Sequence, residues 1–177
     1  LARDDRTDGA AVVAACLQAI VNRCGNKLVD HDIWTQVLAI AYIGSFDTDE
    51  AARETWQAVN GEALTQSGAG NKITALNRAV SIILDIALQY LLDLSWTRRE
   101  HGMRVLQDVV KSLPEQERAA LLSPHPHMAR VAQALLALIK PQIWTGQELA
   151  LESISLLCAR CESLLDVAAP DSTLLLL

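Results

Sequence analysis

Apolar residues recur at intervals of three and four positions along most of the chain, which is the spacing of one face of an α-helix. No stretch alternates apolar and polar residues as a half-buried strand does. The pattern therefore predicts an all-α protein with eight helices. They are a first helix over about Gly9–Arg23, a second carrying Ile33–Phe46, a third from Glu50 to a loop at Gly61, a fourth from Lys72 to Leu94 and a fifth from Trp96 to about Leu113. A short sixth helix follows in "LPEQERAALL", with Pro114 in its first turn, then a seventh over Met128–Lys140 and an eighth after Thr145.

Polar residues suit the starts of several of these helices, because their side chains can accept hydrogen bonds from the unpaired N–H groups of a first turn. The predicted caps are Asp49 with its neighbours Thr48 and Glu50, then Asn71, Ser95, and the pair Thr145 and Glu148, which forms an S/T-x-x-E capping box. Between the third and fourth helices lies "GEALTQSGAGN", which holds three glycines. We expect Gly61–Asn71 to be a flexible link.

Two stretches that begin 48 residues apart carry the same pattern: "SWTRREHGMRVLQDVVKS" and "IWTGQELALESISLLCAR". Aligned from Trp96 and Trp144, they pair Glu100 with Glu148, Gly102 with Ala150, Met103 with Leu151, Leu106 with Ile154, Val109 with Leu157 and Val110 with Cys158. A recurring helical unit of this length is typical of HEAT repeats, which stack into an α-solenoid. We therefore expect one continuous HEAT-repeat segment over residues 1–177, with about four helical pairs. The alternative is an ordinary helical bundle with coincidental similarity.

The composition favours helices packed on helices, since 51% of the residues are hydrophobic but only 4% are aromatic. A net charge of −6 with scattered basic residues argues against a nucleic-acid surface. The longest apolar stretch, "AVSIILDIALQYLLDLSW", is interrupted by Asp85 and Asp93 and is therefore predicted to be a buried helix rather than a membrane span.

Both ends of the sequence favour an excerpt from a longer chain. It begins with Leu1 and closes on four leucines, and the charges in "LARDDRTDGA" are unlike a signal peptide. The four cysteines, Cys16, Cys24, Cys158 and Cys161, are too few for a secreted disulfide framework. A reduced, intracellular compartment is the expectation.

Several residues invite a chemical reading that their context does not support. Cys158 and Cys161 have zinc-ligand spacing and His125 and His127 offer imidazoles, but the cysteines are predicted to lie mid-helix rather than on turns. The acidic cluster of Asp47, Asp49 and Glu50 lacks a twelve-residue calcium loop and suits a helix start.

Neither a nucleophile elbow nor a phosphate-binding loop occurs, because the chain has no G-x-S-x-G and the glycine-rich link lacks a Gly-Lys-Ser/Thr ending. The sequence assigns no catalytic, cofactor-binding or metal-ligating residue. We therefore expect a non-enzymatic protein without a cofactor.

The remaining candidates are interaction residues. A tryptophan at a helix start is expected to close an apolar groove between neighbouring repeats, although tryptophan also serves as an exposed anchor at binding hot spots. Arg98, Arg99 and Arg104 are the only local concentration of basic residues, which suits a solvated face or an acidic partner. Partner-contacting residues are not singled out by the sequence.

Three stretches in order resemble the family of the large HEAT-repeat proteasome adaptor and scaffold, which links the core and regulatory particles. The first, "IWTQVLAIAYIGSFDTDEAARETWQAV", is similar to the family's hydrophobic helix, Phe-Asp turn and Trp-bearing helix. The second, "LLDLSWTRREHGMRVLQDVVKS", is similar to its Ser-Trp and basic pair before an amphipathic helix. The third, "IKPQIWTGQELALESISLLC", is similar to its Trp-led Leu/Ala helix. The chain departs from the family at Gln147, where a basic residue is usual, and beyond Trp56, where an acidic pair is expected.

The resemblance implies a cytoplasmic and nuclear scaffold from the C-terminal half of a longer protein. Its partners would be proteasome core and regulatory particles, whose association it would stabilise and whose assembly it would monitor, with no nucleic acid and no small-molecule substrate. Two alternatives remain open: another HEAT scaffold, such as a transport receptor or phosphatase regulatory subunit, and a helical-bundle enzyme or metal protein.

Overall fold

The structure is a computed structural model that describes residues 5–24, 31–122, 126–139 and 146–161. Every regular element within these ranges is an α-helix, which confirms the all-α prediction. The described ranges hold α1 (Asp5–Cys24), α2 (His31–Gly44), α3 (Glu50–Gln66), α4 (Lys72–Leu91), α5 (Trp96–Ser112), α6 (Glu115–Leu121), α7 (Pro126–Leu138) and α8 (Gln147–Arg160).

The predicted caps of α3 and α4 are confirmed. Asp49 Oδ1 accepts the Ala52 N–H at 2.8 Å, and Asn71 Oδ1 accepts the Thr74 N–H at 2.9 Å. Ser95 holds the N-cap position of α5, but its side chain makes no capping hydrogen bond. Asparagine and aspartate therefore satisfy first-turn N–H groups at two of the predicted starts.

The predicted capping box of α8 is wrong in its position. The N-cap residue is Gly146, one residue after Thr145, and its φ of 100° lies in the left-handed region that glycine adopts at little cost. Thr145 itself lies outside the described residues. Gly146 packs against the Trp96 ring, and a Cβ at this position would collide with the indole. This close contact explains why the position is occupied by glycine.

The link between α3 and α4 is shorter than predicted, because α3 continues to Gln66 and only Ser67–Asn71 connect the helices. Ala63 extends the buried face of α3, and that apolar contact outweighs the weak helix propensity of Gly61. Within the link, Ser67 Oγ accepts the Ala69 N–H at 3.3 Å, and Ala69 is buried. The flexibility of the link stays a prediction, now for Ser67–Asn71.

The chain divides into two compact units, Leu1–Ile83 and Leu84–Leu177. In the first unit α3 packs against both α1 and α2. Its core includes a cluster of mostly small side chains around Trp56, formed by Ala14, Ala41, Ala52, Trp56 and Val59. Small residues let helix backbones approach closely, and the indole fills the space that they leave.

In the second unit α8 packs against α5 and α7. The Trp96 ring lies on Gly146 at the start of both α5 and α8, and Gln107 Nε2 donates to Ser153 Oγ at 3.1 Å farther along. Residue numbers thus rise together along the two helices, so α5 and α8 run parallel.

The predicted equivalence of α5 and α8 holds only at some positions. Gly102 and Ala150 are both buried, as are Val109 and Leu157. Met103, however, is fully buried where its counterpart Leu151 is 49% exposed, and Leu106 is buried where Ile154 is half-buried. α8 buries a narrower face than α5, so the sequence alignment overstates how much of its ladder lies in the core.

A second recurrence, with a spacing of 46 residues, links α3 to α5. Both helices contain 17 residues, and each end of α5 lies 46 residues after the corresponding end of α3. The recurrence extends to the turns that precede the two helices.

In the first turn, Asp47 organises the chain between α2 and α3. Its N–H donates to the Gly44 carbonyl at 2.9 Å, and its Oδ1 accepts the Asp49 N–H at 3.0 Å. The Arg53 guanidinium then reaches back to donate to the Asp47 carbonyl at 3.3 Å. Aspartate and arginine together close this helical hairpin.

In the second turn, Asp93 makes the same three contacts between α4 and α5. Its N–H donates to the Tyr90 carbonyl at 3.1 Å, its Oδ1 accepts the Ser95 N–H at 2.8 Å, and its carbonyl accepts from Arg99 Nε. This turn ends α4 at Leu91, three residues before the predicted Leu94.

The close helix contact beside each turn also recurs, with the large and small residues exchanged. In the first hairpin the Trp56 ring lies against Gly44. In the second, Gly102 faces Tyr90, where an added Cβ would lie 3.0 Å from the Tyr90 Cβ. Gly44 matches Tyr90 and Trp56 matches Gly102 at the same 46-residue spacing. The two hairpins therefore share one construction.

Candidate functional site

The cysteine pair lies at the end of α8, which corrects the predicted mid-helix position. Cys158 is half-buried in the last turn, whereas Cys161 is the buried C-cap residue. Burial raises the pKa of the Cys161 thiol, and the nearby Arg118 charge opposes that shift. His125 lies outside the described residues, and the side chain of His127 is likewise not described. Within the described ranges, no group of three or more His, Cys, Asp or Glu residues converges as metal ligands would.

The acidic cluster belongs to the start of α3, as its sequence context predicts. Asp49 caps the helix, Asp47 accepts the Asp49 N–H, and Glu50 lies 3.6 Å from an Arg53 nitrogen. Each carboxylate therefore has a contact within the hairpin.

The basic trio makes local contacts rather than forming an open cationic surface. Arg98 Nη1 lies 3.1 Å from Asp93 Oδ2, Arg104 Nη2 lies 2.7 Å from Glu100 Oε1, and Arg99 binds the Asp93 carbonyl. The Ser95 N–H, and after it Arg98, lower the pKa of the half-buried Asp93 carboxyl. Asp93 therefore stays ionised and keeps the turn organised at neutral pH.

The same turn exposes two leucines, and we refer to residues 92–98 as the leucine turn. Leu92 is 59% exposed and Leu94 is 94% exposed, more than any other large hydrophobic residue whose side chain the structure describes. Arg98, the last residue of the leucine turn, has its guanidinium 5.9 Å from the centre of the Tyr90 ring. Sequence reasoning did not identify the exposure of these two leucines.

The matching positions of the first hairpin differ in chemistry. Phe46, the counterpart of Leu92, is half-buried with its ring 5.3 Å from that of Tyr42, edge to face. Thr48, the counterpart of Leu94, is exposed and polar, and Ala52, the counterpart of Arg98, is fully buried. The shared backbone therefore does not require exposed leucines.

The tryptophans that the structure describes are packing residues. Trp34 and Trp56 are buried, and Trp96 is half-buried against Gly146. Trp144 lies outside the described residues. The expectation that a tryptophan at a helix start closes a groove between neighbouring repeats stays a prediction.

Arg118 on α6 is the residue of the second unit that sequence reasoning missed. It is only 6% exposed, and its guanidinium donates to three backbone carbonyls. Nε reaches the Arg160 carbonyl at 3.0 Å, and Nη1 reaches those of Val110 and Leu113 at 3.2 Å each. The side chain thus binds the C-terminal ends of both α5 and α8, where carbonyls lack helical partners.

One open depression lies in the first unit, with a volume of about 320 Å³. It is lined by Trp34, Thr35, Leu38 and Arg78, and Arg78 donates to the Ser67 carbonyl at 3.3 Å. The lining therefore carries a single ionisable side chain.

Comparison with known proteins identifies no relative: no family model, curated protein or solved structure matches the chain. Over the residues that the structure describes, no helix combines the length and apolar character needed to cross a bilayer.

Proposed function

We propose that the chain is a non-enzymatic protein-binding scaffold built from repeated helical hairpins. The observation that carries this proposal is the shared construction of the two hairpins that end in α3 and α5. Their 46-residue spacing lies within the range of about 40–47 residues for HEAT and related repeats. Such repeats bind proteins through extended surfaces because each unit contacts mainly its neighbours.

The parallel packing of α5 and α8 supports the same proposal. Residues that contact each other across the two helices are separated in sequence by about one repeat length. Trp96 contacts Gly146, and Gln107 contacts Ser153. Stacked repeats place each helix beside its own counterpart, which gives parallel neighbours in close register. In an up-and-down bundle, α5 and α8 are three helices apart along the chain and would run antiparallel.

The proposed partner is the proteasome, on the strength of the sequence resemblance. The first resembling stretch covers most of α2 and the first part of α3, the second covers the turn after α4 and all of α5, and the third covers most of α8. In this proposal the scaffold contacts the core and regulatory particles through complementary surfaces distributed along the repeats, and it stabilises their association. Another HEAT scaffold function is the alternative that the experiment must separate.

The test is co-elution of the purified chain with purified proteasome on a sizing column. We expect the tagged chain to elute with the core particle, the regulatory particle and their assembly, and an excess of untagged chain should displace it. Absence of the tagged chain from all three fractions would reject the proteasome as partner. The scaffold proposal itself would be contradicted if the chain unfolds as one cooperative bundle.

A further inference from the structure

We propose that the open depression of the first unit binds the C-terminus of a partner protein. We call it the Trp34 depression, and it is lined by Trp34, Thr35, Leu38 and Arg78. The terminal carboxylate pairs with the Arg78 guanidinium, and the apolar side chain of the last residue lies against Trp34 and Leu38. This inference rests on the proposed scaffold function, since it names a surface and the part of a partner that the surface binds. It does not depend on which protein supplies the C-terminus.

Two helices supply the walls of the Trp34 depression. Trp34 and Leu38 lie four residues apart on α2, so they share one face of that helix. They are 4% and 2% exposed, so the fold holds both side chains in place, and together they form an apolar floor. The exposed Arg78 reaches the same depression from α4. An apolar floor with one cation suits a ligand that joins an apolar group to an anion.

Arg78 carries a charge that the described part of the chain leaves without a carboxylate. Its Nη1 donates to the Ser67 carbonyl at 3.3 Å, and that carbonyl is its only acceptor within the described residues. Arg53, Arg98 and Arg104, by contrast, each pair with a carboxylate of their own hairpin. The Ser67 contact orients the Arg78 guanidinium and leaves Nε and Nη2, which present two parallel N–H groups to a carboxylate. Arg78 is thus the group that selects an anion.

The shape of the Trp34 depression favours a chain end over a whole small molecule. Its volume is about 320 Å³, and four side chains line it. A small-molecule pocket buries most of the surface of its ligand, which an open depression with so few lining residues does not do. The last residue of a protein carries a carboxylate and a side chain on one Cα. That single residue contacts Arg78 and the apolar floor together, while the rest of the partner extends into solvent. Capture of a terminal carboxylate is a recurring mode of peptide recognition.

The probe is a glycine- and serine-rich peptide that ends in leucine with a free carboxylate and carries a fluorophore at its amino end. Its binding to the purified full chain is followed by anisotropy. We expect about tenfold weaker binding when a C-terminal amide replaces the carboxylate, because the charge pairing is lost. Serine in place of the last leucine should cause a similar loss, because apolar burial is lost.

Arg78→Gln removes the charge and should weaken binding of the free acid about tenfold. It should leave binding of the amide unchanged, because carboxylate and guanidinium act as a pair. Thr35→Leu places a larger side chain in the Trp34 depression and should weaken binding of both peptides. Arg104→Gln is the matched control, since Arg104 is 55% exposed on α5, and it should leave the affinity unchanged. Thermal melts confirm that all variants are folded.

Added salt should weaken binding of the free acid more than binding of the amide, because the pairing charges are exposed. The proposal is overturned if the free acid fails to bind, if its amide binds as well, or if Arg78→Gln has no effect. It is equally overturned if Arg104→Gln weakens binding as much as Arg78→Gln does. Binding of octanoate, without binding of the peptide, would identify a site for a small carboxylate instead.

This experiment fails separately from the proteasome test. A chain that co-elutes with proteasome particles but binds the free acid equally well as Arg78→Gln keeps its proposed function and loses this surface. A chain that fails to co-elute but loses the free acid on the Arg78→Gln substitution keeps the docking surface and needs another partner.

Discussion

A single guanidinium, that of Arg118, connects the ends of two helices. Its three acceptors belong to Val110, Leu113 and Arg160, and the cation also faces the negative ends of two helix dipoles. Sequence reasoning missed it because "EQERAALL" surrounds the arginine with charged residues, as on a solvated helix. The acceptors that hold this side chain inward lie at the ends of α5 and α8, and a local sequence pattern does not reveal the second of them.

We predict that Arg118→Met destabilises the protein by about 3 kcal/mol, since hydrogen bonds from a charged donor are lost and buried carbonyls are left unsatisfied. Methionine keeps a similar length, so the loss reports hydrogen bonding more than packing. Urea denaturation measures the change. Lys111→Met, at an exposed site on α5, is the control and should change stability by roughly 0.5 kcal/mol or less. Equal effects of the two substitutions would contradict the role of Arg118.

At the scale of the helices, the sequence predicted features that depend only on neighbouring residues. Asp49 and Asn71 cap their helices as predicted, because an N-cap hydrogen bond involves only three or four neighbouring residues. The errors arose where distant residues decide: Gly61 stays helical because Ala63 is buried in the core, and Gly146 replaces the predicted cap because Trp96 packs against it.

The recurring turn was available in the sequence but was not found there. Its signature is an aspartate followed six positions later by an arginine and then a glutamate, at Asp47, Arg53 and Glu54 and again at Asp93, Arg99 and Glu100. The tryptophan alignment drew attention to a 48-residue spacing instead. The relation is also hard to detect by comparing single residues. The first hairpin has a small residue and then a large one, Gly44 and Trp56, whereas the second has a large residue and then a small one, Tyr90 and Gly102. Only the combined size of each pair is kept.

Two helical glycines should respond oppositely to alanine. Gly44→Ala is predicted to destabilise by roughly 1–3 kcal/mol, because its Cβ would collide with the Trp56 ring. Gly61→Ala should stabilise by roughly 0.5–1 kcal/mol, since nothing lies within 4 Å of the added Cβ and alanine restricts the unfolded chain. Thermal denaturation of both variants measures the difference. A stabilising Gly44→Ala would show that α2 and α3 do not approach as described.

At the scale of the whole molecule, each compact unit contains one copy of the Asp–Arg turn, Asp47 in the first and Asp93 in the second. In a chain of repeats, stability is approximately a sum of terms for each unit and its neighbours. In a single bundle, one cooperative core includes every helix. The two architectures therefore predict different responses to one buried substitution.

Leu106→Ala provides that substitution, because Leu106 is 1% exposed on α5. We expect it to destabilise by about 2–5 kcal/mol through lost burial and the cavity left behind. Ile154→Ala, at the half-buried counterpart on α8, should lose less, and Ser155→Ala, at an exposed position, should change stability by roughly 0.5 kcal/mol or less. This order replaces the equal losses that the sequence alignment alone would predict.

Hydrogen exchange then distinguishes the architectures. In a repeat protein, Leu106→Ala should accelerate exchange most in α5 and in α8, which packs against it, while α1 and the first half of α3 keep most of their protection. The reason is that α1 and α3 belong to the first compact unit and share a core around Ala14, Trp56 and Val59. Uniform loss of protection over both units would indicate a single cooperative bundle. That outcome would reject the repeat architecture and, with it, the basis for a scaffold that binds along a series of helical hairpins.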